Sequence, residues 1–308
     1  MQTAQIIALI SLGAAQCSTS GTLTVTGTAD ASALASCTTY SGSVSIPSSF
    51  SVPAGPDGHE SLSIDGVKKI TGNLTVTNVI NLSSLTLGSL VQLGGFELGD
   101  LTVLSTLSAP QLTQVDTLNF TALPALQQLG FTTGLTKSTS VLITNTGLSS
   151  LSGISTLQQV DTFNVNNNQA LTNISLQVTS IKKSLDIEAN DGFISGLSTS
   201  FPMLQTAQNM TFRNCSDVQL PALANVTLDL GFYGNAFTSF AAPNLTTAGG
   251  LVFVDNTQLT NISIPQLTSI NGTYQIANNT QLKQINGFTK LSIVTGALDF
   301  SGNFTEYV

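Results

Sequence analysis

Between Pro243 and Leu282 apolar and polar positions follow one order and then repeat it. Leu245, Leu251, Phe253, Asn256 and Leu259 are answered about 22 residues later by Leu267, Tyr274, Ile276, Asn279 and Leu282. The pattern L-x-[LVIF]-x-x-N-x-x-L recurs at Phe163/Val165/Asn168, Leu185/Ile187/Asn190, Met210/Phe212/Cys215, Leu230/Phe232/Asn235 and Leu298/Phe300/Asn303. Earlier copies keep the spacing but place an apolar residue or Thr where Asn stands later: Leu74/Val76/Val79, Phe96/Leu98/Leu101, Leu118/Phe120/Leu123 and Val141/Ile143/Thr146. Alternation with period two predicts a strand in each copy, with Leu118 and Phe120 inside and Asn119 outside.

A fixed period in the twenties with L-x-L-x-x-[NC] is the mark of a stacked solenoid, because one coil cannot bury its apolar face alone. The prediction is an all-β, right-handed β-helix or leucine-rich-repeat-like solenoid with coils of about 22 residues. The chain then divides into 1–16, 17–60 as an N-terminal capping unit, and 61–308 as solenoid repeats that read as truncated at the C-terminal end. One Asn per coil (Asn168, Asn190, Asn235, Asn256, Asn279 and Asn303) forms a predicted ladder, giving the turning backbone donors and acceptors that burial would otherwise leave unpaired.

Composition narrows the setting. Only 8% of the 308 residues are charged, yet mean hydropathy is +0.29, so Ser, Thr and Asn must supply the polar surface. No apolar run of about 18 residues interrupts the repeats, which speaks against a spanning helix. The net charge of -8 reflects scarce Lys and Arg and disfavours nucleic acid, which requires clustered basic residues.

The opening MQTAQIIALISLGAAQ reads as the latter part of a secretory signal peptide with cleavage after Ala15, and it lacks Lys or Arg before the apolar run. Sequons point to the same compartment. Asn73, Asn81, Asn119, Asn173, Asn209, Asn214, Asn225, Asn244, Asn261, Asn271 and Asn278 each begin N-x-[ST] and are candidate sites of N-linked glycans. Asn303 also begins one, but its place in the inner column assigns it to structure. Cys17 and Cys37 bracket the first unit and suit a disulfide that staples the end of the stack. Cys215 occupies the Asn place of its repeat and reads as a buried, inert thiol.

CTTYSGSVSI at 37–46 followed by ITGNLTVTN at 70–78 resembles the receptor L domain. With CSTSGTLTVTGTADASALASC at 17–37, LSAPQLTQVDTLNF at 107–120 and INGFTKLSIVTGALDFSGNF at 285–304, the chain from Cys17 to about Thr305 resembles the fungal GPI-anchored cell-wall organisation proteins. That resemblance implies a non-enzymatic, secreted surface glycoprotein that supports wall integrity, held at the plasma membrane or wall by a GPI anchor in its full-length form. It implies no cofactor. Wall polysaccharides or mannoproteins would be its partners, and membrane contact would come only through the anchor.

Candidate chemistry is thin. Glu97, Asn119, Asn164 and Asp186 fall at matching outward places, with Asn166 and Glu188 two residues further along their strands, and together they could present a flat polar face to sugars. A carbohydrate-binding or adhesion module is therefore the first alternative. The second, a carbohydrate-active β-helix enzyme, rests on Asp116 and Asp161 in QVDTLNF and QVDTFNV, although turns favour Asp on their own account. His59 is the only His and Arg213 the only Arg. A His-based triad or an arginine grip on uronates thus lacks its parts. An ice-binding face is disfavoured by the irregular outward column Thr75, Glu97, Asn119, Leu142 and Asn164.

Overall fold

The computed structural model describes residues 17–190 and 196–307, and the predicted signal segment 1–16 lies outside them. The alternating segments form strands such as Lys69–Thr77, Gln92–Gly99, Gln114–Leu123 and Ser140–Thr146. They join side by side, all parallel, in one 15-stranded sheet. Parallel neighbours require a long return connection, and here the rest of each coil provides it, giving a parallel solenoid of about 13 turns of about 22 residues. The strands Ser18–Thr24 and Thr39–Ile46 of the opening unit belong to the same sheet.

Register stacks like on like. Leu74, Phe96, Leu118 and Val141 form one inward column, and Val76, Leu98, Phe120 and Ile143 the next, all with no exposed surface. Each side chain of this size that leaves water contributes about 1.5–3 kcal/mol. Farther along, Phe212, Phe232 and Phe253 stack at 5.4 and 4.7 Å between centroids, and Phe240 packs on Phe232 at 4.4 Å.

Each coil contains more than the predicted strand. A third inward column, including Ile70, Val115, Ile181 and Val226, precedes the other two. Between it and them the pairing slips, as at Ile70/Asn73 and Ile181/Ser184, so a bulge bends the strand into a corner. Short strands on a second side of the coil make separate parallel sheets. Glu60–Ser63, Leu82–Thr86 and Thr106–Ser108 form one, and Asn173–Ser175, Leu197–Ser200 and Cys215–Gln219 another. Several coils return through Ala109-Pro110, Leu220-Pro221, Ala242-Pro243 or Ile264-Pro265. In each case the N–H three residues after the first donates back to that first carbonyl, and the fixed φ of proline suits the second place of such a turn.

The strand ends at a turn that the periodicity did not reveal. From the coil of Val79 to that of Asn279 the residue just before the Asn place has a left-handed backbone: Asn78, Asp100, Ala122, Asn145, Asn167, Ala189, Asn214, Gly234, Asp255 and Asn278, with φ from 50 to 58°. Asn, Asp and Gly visit this region most readily, which is why they dominate the column.

The two ends of the described stack differ. At the first, Cys17 and Cys37 are joined, Cα to Cα 5.6 Å, and the helix Thr28–Ala35 buries Ala31 and Leu34. Asp30 accepts from the N–H and Oγ1 of Thr26 at 2.8 and 2.9 Å, and these bonds hold its carboxyl below the ordinary range. At the other, Val294 follows Ala248 and Ile270 in their inward column and is only half-buried, and Leu298 follows Leu251 and Tyr274 in theirs and is 60% exposed. Asn303 shares that exposure. Its predicted place in the buried ladder is therefore corrected, because no described coil stacks beyond it.

Candidate functional site

Inside the solenoid the ladder forms in two segments. Asn168 Oδ1 accepts from Thr146 N–H and Oγ1 at 3.0 and 2.6 Å, and Asn190 Oδ1 accepts from Asn168 N–H and Nδ2 at 3.1 and 3.0 Å. The second segment runs from Cys215 N–H to Asn235 Oδ1 at 2.9 Å, from Asn235 N–H to Asn256 Oδ1 at 3.0 Å, and from Asn256 N–H to Asn279 Oδ1 at 2.9 Å. Every Nδ2 also reaches a carbonyl of the preceding coil, as Asn256 does with Phe232 O at 3.1 Å. Cys215 separates the segments. Burial, with Asp217 adding to it, pushes its thiol up to about 12, so this sulfur is a filler and not a nucleophile.

Outside, the sheet brings the predicted polar residues into two columns. Glu97 pairs in register with Asn119, and Asn164 with Asp186, while Leu142 stands between Asn119 and Asn164. In the second column Asn166 lies beside Glu188. Several of these side chains are already tied together. Asn166 Nδ2 donates to Asn164 Oδ1 at 2.6 Å, Thr144 Oγ1 donates to Asn166 Oδ1, and Thr75 Oγ1 donates to Glu97 Oε2 at 3.3 Å. All six predicted face residues are half-buried, as expected of short polar groups standing on a closely paired sheet.

The second column continues into residues that the pattern did not single out. Arg213 Nε donates to Glu188 Oε1 at 3.2 Å, and its guanidinium lies 4.2 Å above the Tyr233 ring. Burial raises the Tyr233 hydroxyl above its ordinary value, with Arg213 opposing and Asp229 adding to the shift. The sequence signal was available: the chain's one Arg directly follows the inward Phe212, at the place where Glu188 and Tyr233 stand in neighbouring coils.

The carboxylates considered for catalysis do not converge. Asp116 pairs with Lys137 at 3.8 Å and Asp161 with Lys182 at 3.6 Å, each on its own coil with Thr139 between them. His59 N–H donates to Asp57 Oδ1 at 3.2 Å within its loop. Nearby, buried Glu60 accepts from Ser51 Oγ and Val52 N–H, both at 3.3 Å, fastening the 47–60 segment to the coil. Among the described residues no three His, Cys, Asp or Glu side chains group to hold a metal ion, and no helix is long and apolar enough to cross a membrane.

The sequons are distributed around the whole coil. Asn73, Asn81, Asn173, Asn214, Asn244, Asn261, Asn271 and Asn278 are exposed, and Asn119, Asn209 and Asn225 are half-buried. Asn225 accepts from Thr247 Oγ1 and Asn244 Nδ2 donates to Pro221 O at 2.8 Å.

The chain is 42% identical over 285 residues to "Cell surface GPI-anchored protein" of Arthroderma benhamiae, covering 92% of this chain and 70% of the relative. Protein ecm33 of Aspergillus fumigatus is 41% identical over 295 residues, 95% of this chain and 71% of the relative. The chain belongs to this fungal GPI-anchored cell-surface family. A more distant relative, cell wall mannoprotein PST1 of Saccharomyces cerevisiae, is 31% identical over 176 residues, 57% of this chain and 39% of the relative. No protein-family model and no solved structure matches the chain. Membership in the ecm33 family places the protein at the cell surface or wall and gives it a role in wall organisation.

Proposed function

We propose that the protein supports the wall without catalysis, as a rigid, N-glycosylated strip whose outward sheet face meets wall polysaccharide or mannoprotein. One observation carries this reading: the outward polar columns stand in register on a single sheet, with neighbouring side chains already hydrogen-bonded to one another. Strands about 4.8 Å apart present such groups at a fixed repeat. Ordering them before contact lowers the entropy lost on binding. Membrane attachment belongs to a GPI anchor on the full-length form, and nucleic acid has no place in this reading, given the net charge of -8.

The test is co-sedimentation of the purified protein with insoluble β-glucan, chitin and mannan-bearing wall. Saturable binding to at least one polymer is expected, weakened about tenfold or more by combining Glu97→Ala, Asp186→Ala and Glu188→Ala, the scale of losing two or three modest polar contacts. The variant should melt close to wild type, because these groups are not in the core. Binding that never saturates, or that ignores the triple change, defeats the proposal.

A further inference from the structure

At the edge where the long strands enter their left-handed turns lies a groove of about 250 Å³, lined by Glu188, Arg213, Asn214, Tyr233, Gly234 and Asp255 among others. It is assembled residue by residue. Gly231 has no side chain, and a Cβ there would stand 2.6 Å from Tyr233 Cε2, so glycine lets the Tyr233 ring fold back over the outward face. Arg213 then lies on that ring and is held from the other side by Glu188.

Asn214 opens onto this groove under unusual conditions. It occupies the left-handed turn column, where its neighbours in the adjacent coils are Ala189 and Gly234, the column's small residues, and not the Asn or Asp found at most other coils. Asn214 Oδ1 lies 3.8 Å from where a Cβ on Gly234 would be, so the space beside it is clear. Its side chain is exposed, and Asn214-Cys215-Ser216 is a sequon.

We propose that Asn214 carries an N-glycan whose core N-acetylglucosamines lie in this groove against the Tyr233–Arg213 stack. In forming it, Asn214 Nδ2 attacks C1 of the first sugar of a lipid-diphosphate-linked oligosaccharide. The N–C1 bond forms, the C1–O bond to diphosphate breaks with its electron pair leaving on the lipid diphosphate, and Nδ2 gives up one proton. The oligosaccharide is transferred without oxidation or reduction. In the folded protein the apolar sugar face meets the aromatic-guanidinium stack, and Glu188 and Asp255 accept from sugar hydroxyls and the acetamido N–H. The two carboxylates against one guanidinium favour a neutral sugar over an anion.

Asn278 provides a built-in comparison. It is a sequon in the same column with the same backbone, φ 58° against 57°, but Ala277 and Ser301 stand where Arg213 and Tyr233 stand beside Asn214. A glycan there has no stack to lie on.

The inference rests on the chain being N-glycosylated, and the test separates the two claims. Protein secreted from a fungal host is mapped by glycopeptide mass spectrometry. The native protein is then treated with an endoglycosidase that cuts between the two core N-acetylglucosamines. The Asn214 glycan should be released about tenfold more slowly than those at the other occupied sites, the upper scale of one aromatic contact. Tyr233→Ser should bring it to the common rate. Arg213→Lys, which keeps the charge and loses the planar stack, answers the same question should Tyr233→Ser not be secreted. An unoccupied Asn214 among occupied sequons, or release at the common rate in the wild-type protein, overturns this inference alone. A chain with no glycan anywhere overturns N-glycosylation as well.

Discussion

Coils up to Leu123 and coils from Thr146 onward make the same turn with different chemistry. In both halves a left-handed residue precedes the turn, and in coils of each half the N–H three residues after the inward one donates back to its carbonyl, at Val79, Leu101 and Leu123 in the first and at Asn168, Asn256 and Asn279 in the second. In the first half the inward residue is Val79, Leu101 or Leu123, buried and apolar. In the second it is Thr146, Asn168, Asn190, Cys215, Asn235, Asn256 or Asn279, and all but Cys215 bond to the next coil or the one before through their side chains. The backbone therefore fixes the turn, and the side chain decides only how adjacent coils are held. An apolar column gains from burial in any register. An Asn column bonds only when coils stack in step, which makes it the more specific and the more fragile of the two.

The largest expected effect is in the second half. Asn256→Ala leaves Asn235 N–H and Nδ2, and Phe232 O, without their buried partner. At about 1–3 kcal/mol per stranded group the loss should reach about 4 kcal/mol, readable as a shift in denaturant midpoint. Leu101→Asn should cost about 3 kcal/mol by removing burial and inserting an unpaired amide. Adding Leu123→Asn to it should cost less than the sum by about 1 kcal/mol if the two new amides pair as their counterparts do. Strict additivity would sink the equivalence of the halves.

Much of the long sheet was legible because its inward residues repeat every second position. Leu74 to Leu298 could be aligned by eye, and the Asn place identified the buried ladder at Asn168, Asn190, Asn235, Asn256 and Asn279. Other features left only faint marks. The left-handed column is written as Asn, Asp or Gly, but Ala122 and Ala189 interrupt it. The proline turns occur in only some coils. The short second strands are three to five residues long, too brief for a period to register. The Arg213–Tyr233 stack depends on Gly231, an absence of side chain that a pattern of apolar positions does not record.

The two alanines give the next effect. Ala122→Gly and Ala189→Gly should each stabilise by about 0.5–1 kcal/mol, since glycine enters the left-handed region without the steric cost that alanine carries. A loss in either half would contradict the claim that one backbone turn serves both. The smallest effect is at the break in the ladder. Cys215 should stay unmodified by a thiol reagent at about pH 8 until the chain unfolds, because burial keeps it protonated. With its folded value raised above the ordinary 9.0 to about 12, its contribution to stability is full below that ordinary value and declines as pH rises beyond it.

The most direct test of the account is complementation in a fungus lacking its ecm33-family protein, with the anchored full-length form carrying changes in this region. The account predicts that Asp116→Asn with Asp161→Asn restores growth under wall stress as well as wild type. Glu97→Ala with Asp186→Ala and Glu188→Ala, expressed and folded to the same level, should fail to restore it. Rescue by the face variant together with failure of the aspartate variant would contradict a surface role and return the protein to catalysis.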